Sequence, residues 1–347
     1  MVTADASLAG IIVTPGALDA AGSHARAAAP AYRYAIITDE TVGSLYGARL
    51  VASFEDAGAT ELFTISGGET MKTRETWAAL TDAMLARGLG RDTTVVALGG
   101  GVVGDLAGFV AATYLRGVPI VQVPTTLLAM IDAAIGGKTG VDTPAGKNLV
   151  GAFHTPAAVI VDPAVLDTLP PRQLASGMAE AVKHGVIADA EYFASLHSLP
   201  LAVLVARSIE IKSAVVARDV REIGLRKILN FGHTVGHAIE AASGYTLLHG
   251  EAVAIGMAVE SRLAELAGVA DCGITEDIIV ALERVTLPTR IPVGLDVDDI
   301  VQRTHTDKKM RAGAVEYALP KAIGVMAGAE SAWGIALPDA FVREALG

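Results

Sequence analysis

Of the eight histidines in the chain, three fall close together. His233 and His237 stand in Phe231-Gly232-His233-Thr234-Val235-Gly236-His237-Ala238-Ile239-Glu240, and His249 opens His249-Gly250-Glu251. Residues four apart share a helical face, so His233 and His237 suit one metal ion or a catalytic pair; core or surface histidines are the plainer alternative. Cys272 is the single cysteine. That excludes a cysteine zinc cluster and an internal disulfide, and leaves His, Asp and Glu to hold any metal. In Met178-Ala179-Glu180-Ala181-Val182-Lys183-His184 a carboxylate and an ammonium stand three apart on an apolar helical stretch. The spacing fits an ordinary ion pair. It fits equally well Glu180 as a metal ligand beside Lys183 as a substrate contact.

Two glycine-rich stretches point to anions. Leu98-Gly99-Gly100-Gly101-Val102-Val103-Gly104-Asp105 follows a β-rich run and opens a helical one. Glycines there let backbone approach a pyrophosphate, and the helix start supplies N–H groups and the positive end of its dipole. The pattern is not GxGxxG, and a tight strand-to-helix turn would use the same residues. Gly136-Gly137-Lys138-Thr139-Gly140 has the composition of a phosphate loop, but Asp132 stands where a Walker motif needs its first glycine, which disfavours ordinary ATP hydrolysis. Lys138, Lys147 and Asn148 lie in one glycine-rich, otherwise apolar region and read as anion contacts or as solvated lysines.

The elements that must position these residues fall into two textures. A chain of 347 residues is long enough for two domains. In the first half, short runs apolar on both faces (34–38, 61–65, 94–98, 119–123 and 158–161) read as parallel strands covered by helices. A helix over 73–87 sets Trp77, Leu80, Met84 and Leu85 on one side. After Leu169-Pro170-Pro171 helical periodicity takes over, with helices expected over 172–186, 189–197, 201–217, 231–243, 249–268, 275–285 and 297–304. The expected architecture is an α/β, Rossmann-like nucleotide-binding domain over residues 1–169 and an all-α metal- and substrate-binding domain over 170–347. A net charge of −11 opposes nucleic acid and acidic membranes, so an anionic substrate needs a local basic pocket. No uninterrupted apolar run has the length of a membrane span, and the opening MVTADASLAG lacks the basic region of a secretory signal; a cytoplasmic protein is expected.

Taken together and in order, GGGVVGDLAGFVAATYLRG, VPTTLLAMIDAAIGGKTGVDTPAGKNLVGAF, LASGMAEAVKHG, GLRKILNFGHTVGHAIE, HGEAVAIGM and DKK resemble the 3-dehydroquinate synthase family, over about Ile12 to Gly324. The resemblance implies an NAD- and metal-dependent lyase, usually a homodimer. Its reaction takes 3-deoxy-D-arabino-heptulosonate 7-phosphate to 3-dehydroquinate and phosphate in the shikimate pathway. The steps are transient oxidation, phosphate elimination, re-reduction, ring opening and an intramolecular aldol.

Carried over by position, the resemblance assigns one divalent ion, zinc or cobalt, to Glu180, His233 and His249, with His237 beside the site rather than on the metal. NAD contacts are implied at Asp39, Gly67, Gly68, Glu69, Thr70, Met71, Lys72, Gly101, Val102, Val103, Gly104, Asp105, Thr125, Thr126, Lys138, Lys147, Val165, Leu166, Asp167 and Thr168. Substrate contacts are implied at Asp132, Lys138, Asn148, Lys183, Lys212, Arg226, Asn230 and His237, with Lys308 or Lys309 of Asp307-Lys308-Lys309, and with Arg116 reaching the phosphate of the other subunit. Thr41, Asp142 and His184 depart from the family's more frequent residues, and only local effects are expected from them. The competing readings are a sister sugar phosphate cyclase (aminodehydroquinate or 2-epi-5-epi-valiolone synthase), a metal-dependent polyol dehydrogenase, and a non-catalytic scaffold.

Overall fold

Each of the five β-branched runs of the first half lies in a parallel strand. The computed structural model describes residues 10–144, 146–305, 310–311 and 314–347, and its contacts divide the chain into two units, Met1–Leu169 and Pro170–Gly347. In the first unit the strands are β1 (Ile11–Val13), β2 (Arg33–Asp39), β3 (Ala59–Ile65), β4 (Thr93–Gly99), β5 (Ile120–Pro124), β6 (Lys138–Thr143), β7 (Gly146–Phe153) and β8 (Ala158–Val161). Six of them form one parallel sheet in the order β1-β8-β5-β4-β2-β3.

Alternation along β2 explains why both faces must be covered. Ala35 and Ile37 enter a core with Leu80, Met84, Leu106 and Val110. These come from α4 (Arg74–Ala86) and α5 (Gly101–Thr113). Tyr34 and Ile36, also fully buried, point the other way; the Tyr34 ring meets Phe54 at 4.8 Å between centroids. This second face is the side of α1 (Ala21–Ala28) and of a helical segment made of α2 (Glu40–Val42), a π turn (Gly43–Gly47) and α3 (Ala48–Ala52). Each large side chain buried in this way contributes about 1.5–3 kcal/mol.

Thr73 caps α4 by accepting from Thr76 N at 3.2 Å. Leu85 does not join the buried side of that helix; it is exposed, while Thr76 takes a core position. Gly136 and Gly137, at φ 100 and 65, turn the chain into the antiparallel hairpin β6–β7. The lysines of the second glycine-rich stretch are therefore carried by strands and not by a helix start.

The second unit is helix-rich. Its helices are α6 (Pro171–Ala188), α7 (Ala190–Ser195), α8 (Leu201–Arg218), α9 (His233–Ala242), α10 (His249–Leu266), α11 (Ile274–Arg284), α12 (Val297–Thr304) and α13 (Asp339–Leu346). Pro171 at the first turn of α6 uses a position where no N–H is needed. The structure adds α13 and short strands to the helices expected: β9 (Met310–Arg311), β10 (Ala314–Tyr317), β11 (Pro320–Ala322), β12 (Val325–Met326) and β13 (Ile335–Ala336). Among the described residues no helix is long and apolar enough to cross a membrane.

Candidate metal centre and nucleotide-binding turn

Three helices of the second unit deliver one carboxylate and two imidazoles to one place. Glu180 lies mid-way along α6 with 0% exposure. His233 is the first residue of α9 and His249 the first of α10. The Glu180 Oε1 atom stands 3.5 Å from His233 Nε2 and 3.8 Å from His249 Nε2. The donor atoms of all three residues lie within 4.8 Å of one another. A tetrahedral ion with bonds of about 2.1 Å sets its ligand atoms about 3.4 Å apart, so the arrangement needs little closing to hold one. The donor set, one oxygen and two nitrogens, suits zinc or cobalt.

Glycines bring the helices this close. A Cβ on Gly256 would stand 2.0 Å from Gly232 O, and one on Gly250 would stand 1.9 Å from Ser176 O. Only bare backbone permits α10 to lie against α9 and α6.

Both imidazoles have an acceptor on the opposite nitrogen. His233 Nδ1 is 3.1 Å from Phe231 O, and His249 Nδ1 is 3.6 Å from Glu240 Oε2. The first is a hydrogen bond that turns His233 Nε2 towards the ion; the second is an ion-pair contact longer than a hydrogen bond. Burial would depress the His249 imidazolium, but Glu180 and Glu240 outweigh it and push its pKa up to about 9. The His237 ring lies 5.3 Å from that of His233 and 5.8 Å from that of His249. His237, Glu240 and His249 thus form a second group of close donors.

Cations lie buried in the same unit. Lys183 (1% exposed) pairs with Glu180, so the ion pair and the ligand set share one carboxylate. Lys212 on α8 and Arg226 (2% exposed), on the turn Leu225–Asn230, are also buried. Buried Lys and Arg are rare without an anion to serve. Asp219 shapes the loop before that turn. Burial opposes its ionisation, yet the N–H groups of Gly224, Ile223 and Arg226 hold its pKa below the ordinary carboxylate range. Arg226 Nη1 also donates to Val220 O at 2.6 Å.

Glu222 escaped the sequence reading. It adopts φ 58, a conformation that costs a non-glycine residue about 1–3 kcal/mol, and its Oε1 accepts from Asn230 Nδ2 at 2.7 Å. An acidic residue in Arg221-Glu222-Ile223-Gly224, a short loop segment, gives no signal of this in sequence. Asp307, Lys308 and Lys309 lie outside the described residues.

In the first unit the expected dinucleotide residues gather at the carboxyl ends of adjacent strands. β2 ends at Asp39, β4 at Gly99 and β5 at Pro124, with Thr38 opposite Leu98 and Gly99 opposite Pro124. From β2 the chain goes on to β3 on one side, and from β4 to β5 on the other, so the order reverses between β2 and β4, where such sheets bind ligands. Asp39 Oδ1 accepts from Val42 N at 2.9 Å. Gly100 precedes α5 without a capping side chain. Thr125 Oγ1 is buried with no hydrogen-bond partner among the described residues, whereas Thr126 Oγ1 accepts from Ala129 N at 3.1 Å. The Val103 side chain is in the core, and the Gly104 carbonyl accepts from Gln122 at 3.1 Å. The Gly104 N–H is donated to Gly100 O at 3.0 Å, so of these two it is Val103, within the first turn of α5, that offers a ligand its backbone N–H.

Gly67, Gly68 (φ 106) and the turn Glu69–Met71, which contains Thr70, lead to Lys72. Lys72 is buried and pairs with Asp105 at 2.5 Å. Burial would lower its pKa, but Asp105, with Glu69 and Asp142, raises it above the ordinary value. Lys147 reaches Glu69 at 3.3 Å, and Lys138 is exposed at the start of β6. Asn148, at φ 54, donates its N–H to Asp142 at 2.8 Å. Asp132 lies in a π turn, Ala129–Ala133. Arg116 follows Leu115 and precedes Gly117, all at positive φ, and is exposed. Val165 and Leu166 are buried, Asp167 is exposed, and Thr168 Oγ1 is 2.6 Å from Tyr46 OH.

Two family models match adjoining stretches of the chain: 3-dehydroquinate synthase N-terminal matches residues 62–176, and 3-dehydroquinate synthase C-terminal matches residues 177–310. The chain belongs to the 3-dehydroquinate synthase family. A 3-dehydroquinate synthase of Symbiobacterium thermophilum is 48% identical over 323 residues, covering 89% of this chain and 90% of the relative. Among solved structures, 2-deoxy-scyllo-inosose synthase with carbaglucose-6-phosphate, NAD+ and Co2+ superposes with a TM-score of 0.88 at 27% identity, covering 97% of this chain and 95% of the other. The 2-epi-5-epi-valiolone synthase of Streptomyces hygroscopicus, with NAD+ and Zn2+ bound, gives 0.86 at 32% identity, covering 97% and 95%.

This chain's own residues fit both groups: two imidazoles and a carboxylate for the ion, and the uncapped α5 start with the buried Thr125 hydroxyl for a dinucleotide. An apolar cavity of about 390 Å³ lies elsewhere in the second unit, between residues such as Ile187, Ile211, Val215, Met326 and Trp333; none of the family's site residues lines it.

Proposed function

We propose that this chain converts 3-deoxy-D-arabino-heptulosonate 7-phosphate to 3-dehydroquinate and phosphate, as an NAD- and metal-dependent carbon–oxygen lyase. The observation that carries this reading is the meeting of Glu180, His233 and His249 in the unit that also buries Lys183, Lys212 and Arg226. A protein with net charge −11 has reason to bury three cations near one another if its substrate is an anion. α6, α8 and the Leu225–Asn230 turn, which carry them, pack on one another.

When bound, NAD supplies a reversible oxidation at carbon 5, and a divalent ion supplies Lewis-acid polarisation of adjacent oxygens. The planar guanidinium of Arg226, with Lys212, takes the substrate carboxylate. Lys183, Asn230 and His237 orient hydroxyls; burial strengthens each contact by excluding water. Asp132, Lys138 and Asn148 of the first unit, with a lysine of Asp307-Lys308-Lys309, are the further substrate contacts in this reading. The lysines and Asn148 orient the phosphate, which accepts the neighbouring C–H proton as it leaves. Ring opening and an intramolecular aldol then close the carbocycle, so the chain contributes mainly positioning and electrostatics. NAD is assigned to Asp39, to 67–72 and 101–105, to Thr125, Thr126, Lys138 and Lys147, and to 165–168.

The working form in this proposal is a homodimer in which Arg116 serves the second copy. The strained display of Arg116 and the exposed Leu149, Val150 and Phe153 of β7 support it; sedimentation at the mass of one chain would remove it. The free Cys272 suits a reducing, cytoplasmic setting.

The direct test is phosphate release from the heptulosonate phosphate with NAD present in catalytic amount, with and without a chelator. Release that stops on chelation without net NADH is the expected result. Stoichiometric NADH would indicate a polyol dehydrogenase, and turnover of a heptulose phosphate lacking the carboxylate would indicate a sister cyclase.

A further inference from the structure

We infer that Glu260 is a positioning residue for the metal centre, acting through the start of α9. Glu260 is the twelfth residue of α10 and has 0% exposure. Its carboxylate reaches across to α9, where Oε2 accepts from Gly232 N at 2.7 Å and Oε1 accepts from Val235 N at 2.9 Å. Those are the N–H groups of the N-cap position and of the third residue of α9. Gly232 has no side chain with which to cap them. A capping box would satisfy the same two donors from inside one helix; here a neighbouring helix does so, with a charged acceptor against the positive end of the α9 dipole.

His233 lies between the two bonded amides, so the contact fixes the backbone from which its imidazole projects. The helix that supplies Glu260 also supplies His249, about 16 Å back along its axis. With Gly256 against Gly232, and Gly250 against Ser176, α10 acts as the common reference for all three donor residues. A buried carboxylate is costly to keep in a core for stability alone; its place here is explained if it holds ligand geometry that an apolar contact would leave loose.

This inference rests on Glu180, His233 and His249 being the ligands, and its test separates the two claims. Metal-free Glu260→Gln protein is titrated with zinc against a competing chelator, and separately with cobalt while the visible absorption bands are recorded. Gln keeps the shape but offers one N–H group another donor. Ile278→Ala, a cavity variant in the core of α11, serves as a control for lost stability. The expected result is a loss of about 10- to 100-fold in zinc affinity and shifted cobalt bands for Glu260→Gln, with neither change in Ile278→Ala.

A folded Glu260→Gln with wild-type affinity and unchanged bands overturns the inference, provided that Glu180→Ala and His249→Ala lose zinc. If those two also bind normally, the ligand assignment itself fails. Hydrogen exchange gives a test that needs no variant. The Gly232 and Val235 amides of the wild-type metal-free protein should be protected as strongly as with zinc bound, and free exchange there would equally overturn the proposal.

Discussion

Metal uptake by this chain should release a proton, by an amount the site geometry sets. His249 stands between two carboxylates, with Nε2 3.8 Å from Glu180 and Nδ1 3.6 Å from Glu240. Against the opposing effect of burial, they push its pKa up to about 9. An ion requires the neutral imidazole. At pH 7 that form is then on the order of one part in a hundred, which costs roughly 3 kcal/mol of apparent affinity. Because the pKa is raised, affinity should climb about tenfold per pH unit from 7 towards 9 and level off above it. Zinc titrations by calorimetry at pH 7, in two buffers of different ionisation enthalpy, should show about one proton released from His249 per ion. Glu240→Gln removes one of the two carboxylates, so the plateau should begin at lower pH. Affinity that stays flat between pH 7 and 9, with no buffer-dependent heat, would refute the reasoning.

Two further outcomes follow from packing and pairing. Gly256→Ala places a methyl 2.0 Å from Gly232 O, where backbone must move; a loss of about 1–3 kcal/mol in urea unfolding is expected, with weaker zinc binding, and an unchanged denaturation midpoint would contradict the close approach of α9 and α10. Lys72→Met leaves Asp105 without its buried cation and should cost about 3 kcal/mol; NAD titration should show weakened binding, and wild-type affinity would remove Lys72 and Asp105 from the nucleotide site.

Periodicity made the long elements legible. The α6, α8, α9 and α10 helices carry apolar residues at helical spacing, and Pro171 marks where the first of them begins. The inner strands β4, β5 and β8 are nearly continuous buried Val, Ile and Ala, which is what burial on both faces demands; the edge strand β3 departs from the expectation, burying Phe63 and Ile65 on one face and exposing Leu62 and Thr64 on the other. The hairpin β6–β7 was hidden because its strands contain Gly140, Gly146 and Gly151, which carry no alternating pattern and read as a loop. β1 is three residues long, too short for any period. α13 is legible as a helix, with Pro338 before Asp339 and buried Val342, Ala345 and Leu346 on one face.

The site shows the limit of local spacing. His233 and His237 are one turn apart and look like the obvious pair, yet the Nε2 atoms facing Glu180 belong to His233 and His249. Their meeting depends on two helices touching at Gly232 and Gly256, a long-range fact with no trace in the i,i+4 pattern. Resemblance, not spacing, pointed to His249. Glu260 has no local signature either, because it caps a helix 25 residues earlier in the chain.

Anomalous diffraction from zinc-soaked crystals, collected on either side of the zinc edge, would locate the ion directly. One peak within bonding distance of Glu180 Oε1, His233 Nε2 and His249 Nε2 is the predicted result. A peak seated instead among His237, Glu240 and His249, or no peak at saturating zinc, would contradict the account.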